Sequence, residues 1–577
     1  MLRPLALICF LASHVYSITP ESAAEFGYPA GVDVWCGKAY RATNGSFTPG
    51  GWLEKPTLSS TPLLDLSIRP RLNLYLATES YGSFLVDAPI SFMHGGPFVN
   101  ASFNKQDNIT SPFTKLFIDV EVVENGLNLL AGQNITVNTT NNELWFNLSE
   151  LTPRFEPYQI VITGASNDGA QFYSATTELY YLPERTDGGS VVKVDNLYGG
   201  LVVQDVFTNS TAWTSLFPYT FYTSWDQWLE LSLDNIHVFK DRGYNIIHIV
   251  PNLGLDNKAF DFDVLDKYLD IMDEMGLWLQ FDMRWSYTNV SSVETQVNRV
   301  KSRKSMLLYY TGDEPDGHVD DLNATKITYD LVKSLDPYHP VSLCLNCLNY
   351  YFEEYTSGTD IIMADPYPIA VNTTFSVQYD TVCNTTYGCC GCDDCQGDFE
   401  DVSERLDLYK EYQEILHLPQ KPQWGVPQAF GNETFWKRYP TPDEEVVMNM
   451  LFINHGAKGI AMWSYPTAPG LINVTSALSK ALTSTTVPSY LLGAFSVALD
   501  VQGASRIDAT AWTLGNSTLV SVVNMNYVPN TLAKVSISLE AASSLGQVIW
   551  GSGWTVGNGT LTKTGLDALE VDIFVIS

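Results

Sequence analysis

The sequence predicts a multidomain α/β protein, a (β/α)8 TIM barrel flanked by an N-terminal β domain and a C-terminal β-sandwich. Three observations lead to this prediction. The chain has 577 residues, too many for one hydrophobic core. Between about residues 217 and 463, short apolar segments alternate with amphipathic ones. On either side of that region, short alternating segments are separated by turn residues, a pattern typical of antiparallel β-structure.

The first residues, 1–17, predict a secretory signal peptide. Arg3 precedes a short apolar run that ends near Ser17 and is too short to span a bilayer. The C-terminal residues form no long hydrophobic tail, so we expect no membrane anchor. Fifteen Asn-x-Ser/Thr sequons are spread along the chain, which predicts an N-glycosylated protein. We therefore expect a secreted, extracellular glycoprotein.

The charge of the chain restricts its partners. The formal net charge is −32, which argues against nucleic acid and makes neutral or cationic glycans easier substrates than polyanions. Aromatic residues make up 12% of the chain, and flat aromatic faces stack on sugar rings. Ordinary core packing and solubility in an acidic medium are the alternative explanations of these two features.

Eight cysteines remain once Cys9 leaves with the signal peptide. An even number in a secreted chain predicts disulfide bonds. Two C-x-x-C spacings could instead indicate zinc, but the oxidising compartment favours disulfides, so we expect no metal and no cofactor. The eight are Cys36, Cys344, Cys347, Cys383, Cys389, Cys390, Cys392 and Cys395.

The predicted N-terminal β domain covers residues 18–195. Alternating apolar residues occur at 115–123 and 159–163, and Glu124-Asn-Gly126 is a turn between such stretches. The C-terminal β-sandwich is predicted for residues 489–577, where the segment 569–576 shows the same alternation.

The barrel is predicted for residues 196–488. Helical patterns run from Asp226 to Arg242 and from Asp261 to Met275, each followed by glycine and then an apolar strand. An open doubly wound sheet would usually have a glycine-rich phosphate loop after its first strand, and the sequence has none. The eight predicted strands are Phe217–Thr223, Tyr244–Val250, Leu277–Asp282, Met306–Thr311, Val341–Leu345, Asp360–Ala364, Pro422–Val426 and Lys458–Trp463.

Three carboxylates follow the fourth predicted strand. Asp313, Glu314 and Asp316 lie within four residues, at the end of the barrel where active sites are found. Close like charges and burial raise the pKa of a carboxyl group, and a protonated carboxyl group can donate a proton to a glycosidic oxygen. A solvated acidic turn is the alternative, but the strand-end position favours a functional site.

Gly312-Asp-Glu-Pro315 resembles the strand-four motif of clan A glycoside hydrolases, in which Asn-Glu carries the acid/base. The resemblance covers residues 217–466. It implies that Glu314 is the catalytic acid, and that Asp313 stands where an asparagine usually contacts the sugar 2-hydroxyl. It also implies that Trp463, at the end of strand eight, stacks under the sugar.

The sequence departs from this motif at strand seven, where clan members carry a nucleophilic glutamate. Gln428 occupies that place, and we expect it to contact the substrate. Asp365, after strand six, is the best substitute, followed by Asp282, and Tyr367 could orient a carboxylate or a sugar hydroxyl. A rigid Asp-Pro-Tyr-Pro turn is the alternative. A carboxyl separation of about 5–5.5 Å would indicate a retaining enzyme, and about 6.5–9.5 Å an inverting one.

Further residues at strand ends predict contacts with a sugar. Tyr222 and Trp285 are aromatic candidates. Arg284 could hold substrate or form a salt bridge with Asp313 or Asp282, and we favour the salt bridge. The cysteine-rich segment 383–395 predicts a disulfide-stapled cap over the cleft, tied to Cys344 or Cys347.

These features together predict a secreted glycoside hydrolase that cleaves O-glycosidic bonds in an extracellular or cell-wall polysaccharide or oligosaccharide. Its catalytic residues would be Glu314, Asp365 and Asp313. The alternative is a non-catalytic glycan-binding glycoprotein on a degenerate hydrolase barrel, since Gln428 stands where a nucleophile is expected.

Overall fold

The protein is described here by a computed structural model. The predicted signal peptide and Cys389 lie outside the described residues. Those residues are 28, 31–44, 47–104, 109–204, 206–208, 210–252, 260–388, 390–539 and 542–577.

Eight parallel strands close a barrel in the order of the sequence, which confirms the predicted fold class and all eight predicted strands. Observed and predicted ends differ by at most a few residues. The fourth strand is longer than predicted and extends to Asp313. The strands are β1 (Tyr219–Ser224), β2 (Ile246–Val250), β3 (Trp278–Asp282), β4 (Met306–Asp313), β5 (Val341–Leu345), β6 (Ile361–Ala364), β7 (Gln423–Gly425) and β8 (Ile460–Tyr465).

Helices cover the outside of the barrel. The helix Phe262–Met275 shows why they form: Asp261 caps its first turn, and Gly276, with a φ of 71°, ends it in a left-handed conformation. Its apolar face packs on the barrel. The helices are Asp234–Asp241, Phe262–Met275, Val290–Val300, Pro315–His318, Ala324–Leu335, Phe352–Thr356, Glu400–Ile415, Pro442–Asn454, Pro469–Leu482 and Thr486–Leu491.

The first predicted helix, Asp226 to Arg242, is interrupted in the structure. A short 3-10 helix, Leu229–Leu231, ends at Ser232, whose backbone is extended, and the α-helix covers only Asp234–Asp241. No helix among the described residues is both long and apolar enough to cross a membrane.

A three-stranded antiparallel sheet covers the N-terminal end of the barrel. It consists of Val192–Val194, Leu201–Gln204 and Trp213–Leu216. Its valines lie in one hydrophobic cluster with Ile246 and Trp278, which begin β2 and β3. The opposite, carboxyl end of the strands is therefore the end at which a site can be open to solvent.

The flanking regions are β-structure, as predicted, and each has its own core. Their named strands pair antiparallel except for Leu74–Leu76, which runs parallel to Phe172–Leu182. The N-terminal sheets contain Leu127–Thr136, Lys115–Val122, Tyr158–Ala165, Phe172–Leu182 and Leu74–Leu76, and Asn142–Asn147, Tyr81–Asp87 and Ser67–Pro70. The C-terminal sheets contain Ser496–Ala498, Ile507–Leu514, Ser517–Asn524, Val571–Ile576 and Leu545–Trp550, and Val501–Gln502, Asn530–Ser538, Thr560–Leu566 and Thr555–Gly557.

Shorter strands lie in the connections. They are Val34–Trp35, Lys38–Ala39, Leu63–Leu64, Ile90–Ser91, Gly96–Pro97, Ser102–Asn104, Ile109–Ser111, Phe375–Ser376 and Thr381–Val382, with a 3-10 helix at Leu148–Glu150.

The cysteines pair differently from the prediction. Cys347 bonds to Cys36 in the N-terminal segment, and the segment 383–395 is closed by two local bonds, Cys383–Cys390 and Cys392–Cys395. The expectation that this segment is tied to Cys344 or Cys347 was therefore wrong. Among the described cysteines, Cys344 is free, and it lies within β5 with its thiol buried inside the barrel.

Removing the long bridge should destabilise the protein. With Cys36→Ser and Cys347→Ser together, we expect the free energy of unfolding to fall by about 2–4 kcal/mol, because the bridge joins positions 311 residues apart and restricts the unfolded chain. Unfolding in urea, followed by tryptophan fluorescence, measures the loss. The control is Cys383→Ser with Cys390→Ser, whose bridge spans 7 residues and should matter less. An equal loss from both pairs would contradict the prediction.

Candidate active site

Glu314 lies where β4 gives way to the short helix Pro315–His318. Its backbone is left-handed, with φ 50° and ψ 49°, a conformation that is costly for a residue with a Cβ. The backbone N–H of Glu314 donates to the carbonyl oxygen of Cys344 at 3.0 Å, which holds the turn against β5. As a residue, Glu314 is half-buried at the carboxyl end of the barrel.

One amide group joins Glu314 to Asp365, which follows β6 and is buried. The Nδ2 atom of Asn346, just after β5, donates to Oε1 of Glu314 at 3.2 Å and to Oδ1 of Asp365 at 3.3 Å. The two carboxyl groups also hydrogen-bond to each other. A hydrogen bond between two carboxyl groups requires that one of them carries a proton.

The surroundings favour the protonated form of this pair. Burial, and then the facing charge of Asp365, raise the pKa of Glu314 well above its usual range. Burial also raises the pKa of Asp365. The pair therefore titrates as a unit and holds one proton at a pH at which isolated carboxyl groups are ionised.

Asn346 is held on every side. Its side-chain oxygen accepts a hydrogen bond from the Trp35 indole nitrogen at 3.1 Å, and its carbonyl oxygen accepts one from Arg405 at 2.6 Å. Its backbone N–H donates to Asp316 at 3.3 Å, and the next N–H, of Cys347, donates to the same carboxyl group at 2.7 Å. Burial raises the pKa of Asp316 to about 7. Asp316 is thus a buried anchor for the turn that carries Asn346.

Arg284 forms both salt bridges anticipated for it. Its Nε donates to Asp282 at 2.7 Å and its Nη1 donates to Asp313 at 2.5 Å. Asp282 also contacts His248 at 2.8 Å, and burial lowers the pKa of that imidazole, which favours its neutral form. The second oxygen of Asp313 accepts a hydrogen bond from Tyr310. Arg284 therefore positions Asp313 beside Glu314.

The aromatic candidates differ in their exposure. Tyr222 is buried, and its hydroxyl donates to Tyr310 at 3.2 Å. Trp463 is partly exposed, packs edge-on against Tyr222 at 5.1 Å, and lies with its ring 5.1 Å from the Arg284 guanidinium. Trp285 is 39% exposed. Trp463 and Trp285 therefore have ring surface that a ligand can contact, and Tyr222 supports them.

Tyr367 and Gln428 lie on the side of the site formed by the loop after β6. The backbone N–H of Tyr367 donates to Sγ of Cys392 at 3.2 Å. The amide of Gln428 is fully buried: it donates to the carbonyl oxygens of Ile369 and Phe430 at 3.1 and 3.3 Å and accepts from the Ile369 N–H at 2.9 Å. Gln428 thus joins β7 to the loop after β6.

The cysteine-rich segment reaches the site through charged groups. Lys38 donates to Asp393 at 3.0 Å and to Asp394 at 2.9 Å, and Arg405 donates to the carbonyl oxygen of Asp393 at 2.6 Å. The same Arg405 contacts Asn346. The segment is therefore linked to the N-terminal chain and to the site by ion pairs and hydrogen bonds.

Three residues of this network were not predicted from the sequence: Asn346, Trp35 and Arg405. A signal for Asn346 was available, because it directly follows an apolar strand of the barrel, as Asp365 does. Trp35 has no such signal, since it lies 311 residues before Asn346 in the chain and reaches it only through the fold.

Comparisons with known proteins show only distant similarity. No family model matches, and no curated protein matches. Similar solved structures are glycoside hydrolases. They include a Nostoc punctiforme debranching enzyme (11% identity, TM-score 0.39, 59% of this chain and 88% of that chain). A second is a Parabacteroides merdae β-glucuronidase (10% identity, TM-score 0.32, 89% of this chain and 74% of that chain). A third is a Thermotoga neapolitana maltogenic α-amylase (10% identity, TM-score 0.40, 62% of this chain and 98% of that chain). Because the sequence identities and TM-scores are this low, the function of the protein has to be inferred from the site itself.

Glu314→Gln should stabilise the protein at neutral pH. Folding raises the pKa of Glu314, so above the usual carboxyl range the folded protein keeps a proton that the unfolded chain releases. This lowers stability, and the loss disappears as the pH falls below about 4.5. We expect the free energy of unfolding to rise by about 1–3 kcal/mol at pH 7.5 and to stay unchanged at pH 4. Unfolding in urea at the two pH values measures the difference.

The matched control is Glu444→Gln. Burial alone would raise the pKa of Glu444, but hydrogen bonds from Arg438 hold that pKa below its usual value. This substitution should therefore destabilise the protein at pH 7.5. Loss of stability in both variants would contradict the assignment of the raised pKa to Glu314.

Proposed function

We propose that the protein is a secreted glycoside hydrolase that cleaves O-glycosidic bonds in an extracellular or cell-wall glycan, with Glu314 as the general acid. One observation carries the proposal: Glu314 is a half-buried residue at the open end of the barrel, and burial and Asp365 raise the pKa of its carboxyl group. A carboxyl group that stays protonated near neutral pH can donate a proton to the glycosidic oxygen.

Glu314 donates its proton to the glycosidic oxygen as the bond to the anomeric carbon breaks. The leaving sugar departs as an alcohol, and positive charge develops on the ring that remains. The Asn346 amide, which already donates to Glu314, stabilises the carboxylate left behind. Because Asn346 is fixed by Trp35 and Arg405, this stabilisation needs no rearrangement of the amide.

Asp365 is the proposed second carboxylate. Asp365 lies within hydrogen-bonding reach of Glu314, so the carboxyl separation of a retaining or an inverting enzyme, about 5–5.5 Å or 6.5–9.5 Å, would apply to the state with sugar bound. We propose that Asp365 first holds the proton on Glu314. It then acts as nucleophile or as base once the sugar ring has separated the two carboxyl groups, and the anomeric configuration of the product distinguishes these roles.

The proposed sugar contacts surround this pair. Trp463 and Trp285 offer aromatic surface for stacking, and Asp313 accepts a hydrogen bond from a sugar hydroxyl. Arg284 compensates the charge of Asp313 and fixes its direction. Tyr367, after β6, is proposed to line the same subsite. The net charge of −32 favours a substrate without anionic groups.

Secretion is part of the proposal. The N-terminal signal pattern and the fifteen sequons support it, and so do the three disulfide bonds, because disulfides persist in oxidising compartments. The rival function is glycan binding without catalysis. It is favoured by one observation: the end of β7 presents the buried amide of Gln428 and not a carboxylate.

The first experiment separates these functions. Purified wild-type protein is incubated with neutral plant and fungal wall glycans, and released sugars are measured. We expect release that falls at least about 100-fold in Glu314→Gln, because the proton donor is lost. Glu353→Gln, which alters an exposed glutamate, should retain full activity. Binding of a glycan by wild type and Glu314→Gln alike, with no sugar released, would replace the proposal by the binding function.

The pH dependence of kcat/KM provides a second test. The charge of Asp313 helps to keep the pKa of Glu314 high, after the larger effects of burial and Asp365. Removing that charge in Asp313→Asn should lower the pKa of Glu314, so the activity should decline at a pH lower by about 0.5–1 unit on the alkaline side. An unchanged or higher alkaline limit would contradict the role of Glu314 as the acid.

A further inference from the structure

Two large aromatic side chains point into solvent from one sheet of the N-terminal β domain. The sheet consists of Ser67–Pro70, Tyr81–Asp87 and Asn142–Asn147. Its inner face packs into the domain core. On its outer face Tyr81 is 62% exposed and Trp145 is 63% exposed. Tyr81 and Trp145 are diagonal neighbours, because Tyr81 pairs with Asn147 and Trp145 pairs with Ser83. Exposed aromatic surface of this size on one face indicates a partner that covers it.

A glycosylation sequon lies on the same face. Asn147 begins the sequence Asn-Leu-Ser and pairs directly with Tyr81 across the two strands. Trp145 is two residues before Asn147, so the two side chains project from the same side of the strand. The side-chain oxygen of Asn147 accepts a hydrogen bond from the Ser149 N–H at 2.9 Å. Its amide nitrogen is exposed, with no protein partner among the described residues.

We propose that Asn147 carries an N-linked glycan whose first sugar units pack on Tyr81 and Trp145. The amide nitrogen of Asn147 forms a bond to C1 of an oligosaccharide activated as a lipid-linked diphosphate. The C1–oxygen bond to the diphosphate breaks, the diphosphate leaves with the electron pair, and the nitrogen loses one proton. The apolar C–H faces of the attached sugars then cover the two rings.

The space beside the rings suits sugars. A cavity of about 410 Å³ is lined by Tyr81, Trp145 and, among others, Glu143, Ser83 and Arg71. The Ser83 hydroxyl donates to Glu143 at 2.7 Å, which leaves the second carboxylate oxygen of Glu143 available to sugar hydroxyl groups. Polar groups next to aromatic faces are the combination that a pyranose, with its two apolar faces and polar rim, can satisfy.

The same arrangement occurs a second time in this domain. Asn134 begins another sequon, is exposed, and pairs directly with Phe117, which is 38% exposed. In a directly paired position the two side chains lie on the same face of the sheet. A glycan on Asn134 would cover Phe117 as the glycan on Asn147 covers Tyr81. The two sites lie in different sheets, so the repetition is not a consequence of one local geometry.

The test uses full-length protein secreted from a eukaryotic host. Peptide mass spectrometry should find Asn147 glycosylated. Trp145→Ala should then speed amide hydrogen exchange in strands 81–87 and 142–147 roughly fivefold in the glycosylated protein, because the cover of these strands is loosened. In an Asn147→Gln background the same substitution should change the exchange much less, since the glycan that Trp145 contacts is already absent.

The control is Asn516→Gln, which removes a sequon in an exposed turn of the C-terminal sheets and should leave exchange in these strands unchanged. An unoccupied Asn147, or equal effects of Trp145→Ala in both backgrounds, would overturn the proposal. So would saturable binding of a soluble oligosaccharide that Trp145→Ala abolishes in the Asn147→Gln protein, because the face would then serve a free ligand. Glu314 takes no part in this test, so its outcome is independent of whether the protein is a hydrolase.

Discussion

The central constraint in this protein is the pair of carboxyl groups that share a hydrogen bond at the open end of the barrel. Glu314 and Asp365 face each other in a poorly solvated place, where two negative charges would repel strongly. The arrangement is tolerated only with a proton between them and with the Asn346 amide donating to both. A buried pair of this kind lowers stability, and its retention is expected where chemistry requires it.

Elements far apart in the sequence cooperate to hold that pair. Trp35 comes from the N-terminal segment, which the Cys36–Cys347 bond attaches to the turn after β5. Arg405 comes from the helix after β6 and contacts the carbonyl oxygen of Asn346. The amide is thus fixed by groups on both sides, which is what electrostatic preorganisation requires. The N-terminal segment consequently belongs to the site.

The sequence allowed the barrel to be predicted because each strand is a short apolar run followed by a helix, a pattern that depends on near neighbours in the chain. It also indicated Glu314 and Asp365, because the ends of barrel strands meet at one rim. It could not indicate the role of Trp35, which depends on where a distant segment crosses the barrel. Nor did the count of cysteines reveal that Cys344 lies buried within the barrel, without a disulfide partner among the described cysteines.

Strand order explains why Asn346 lies between the two carboxyl groups. β4, β5 and β6 are neighbours in the barrel, so the residue after β5 stands between Glu314 after β4 and Asp365 after β6. In the proposed mechanism, a sugar bound at the two carboxyl groups takes the place of the hydrogen bond between them, while both bonds from Asn346 persist. The proposed mechanism therefore couples substrate binding to the position of the proton. The sugar ring that separates the pair would also remove the partner that keeps the proton on Glu314, and so free that proton for the glycosidic oxygen.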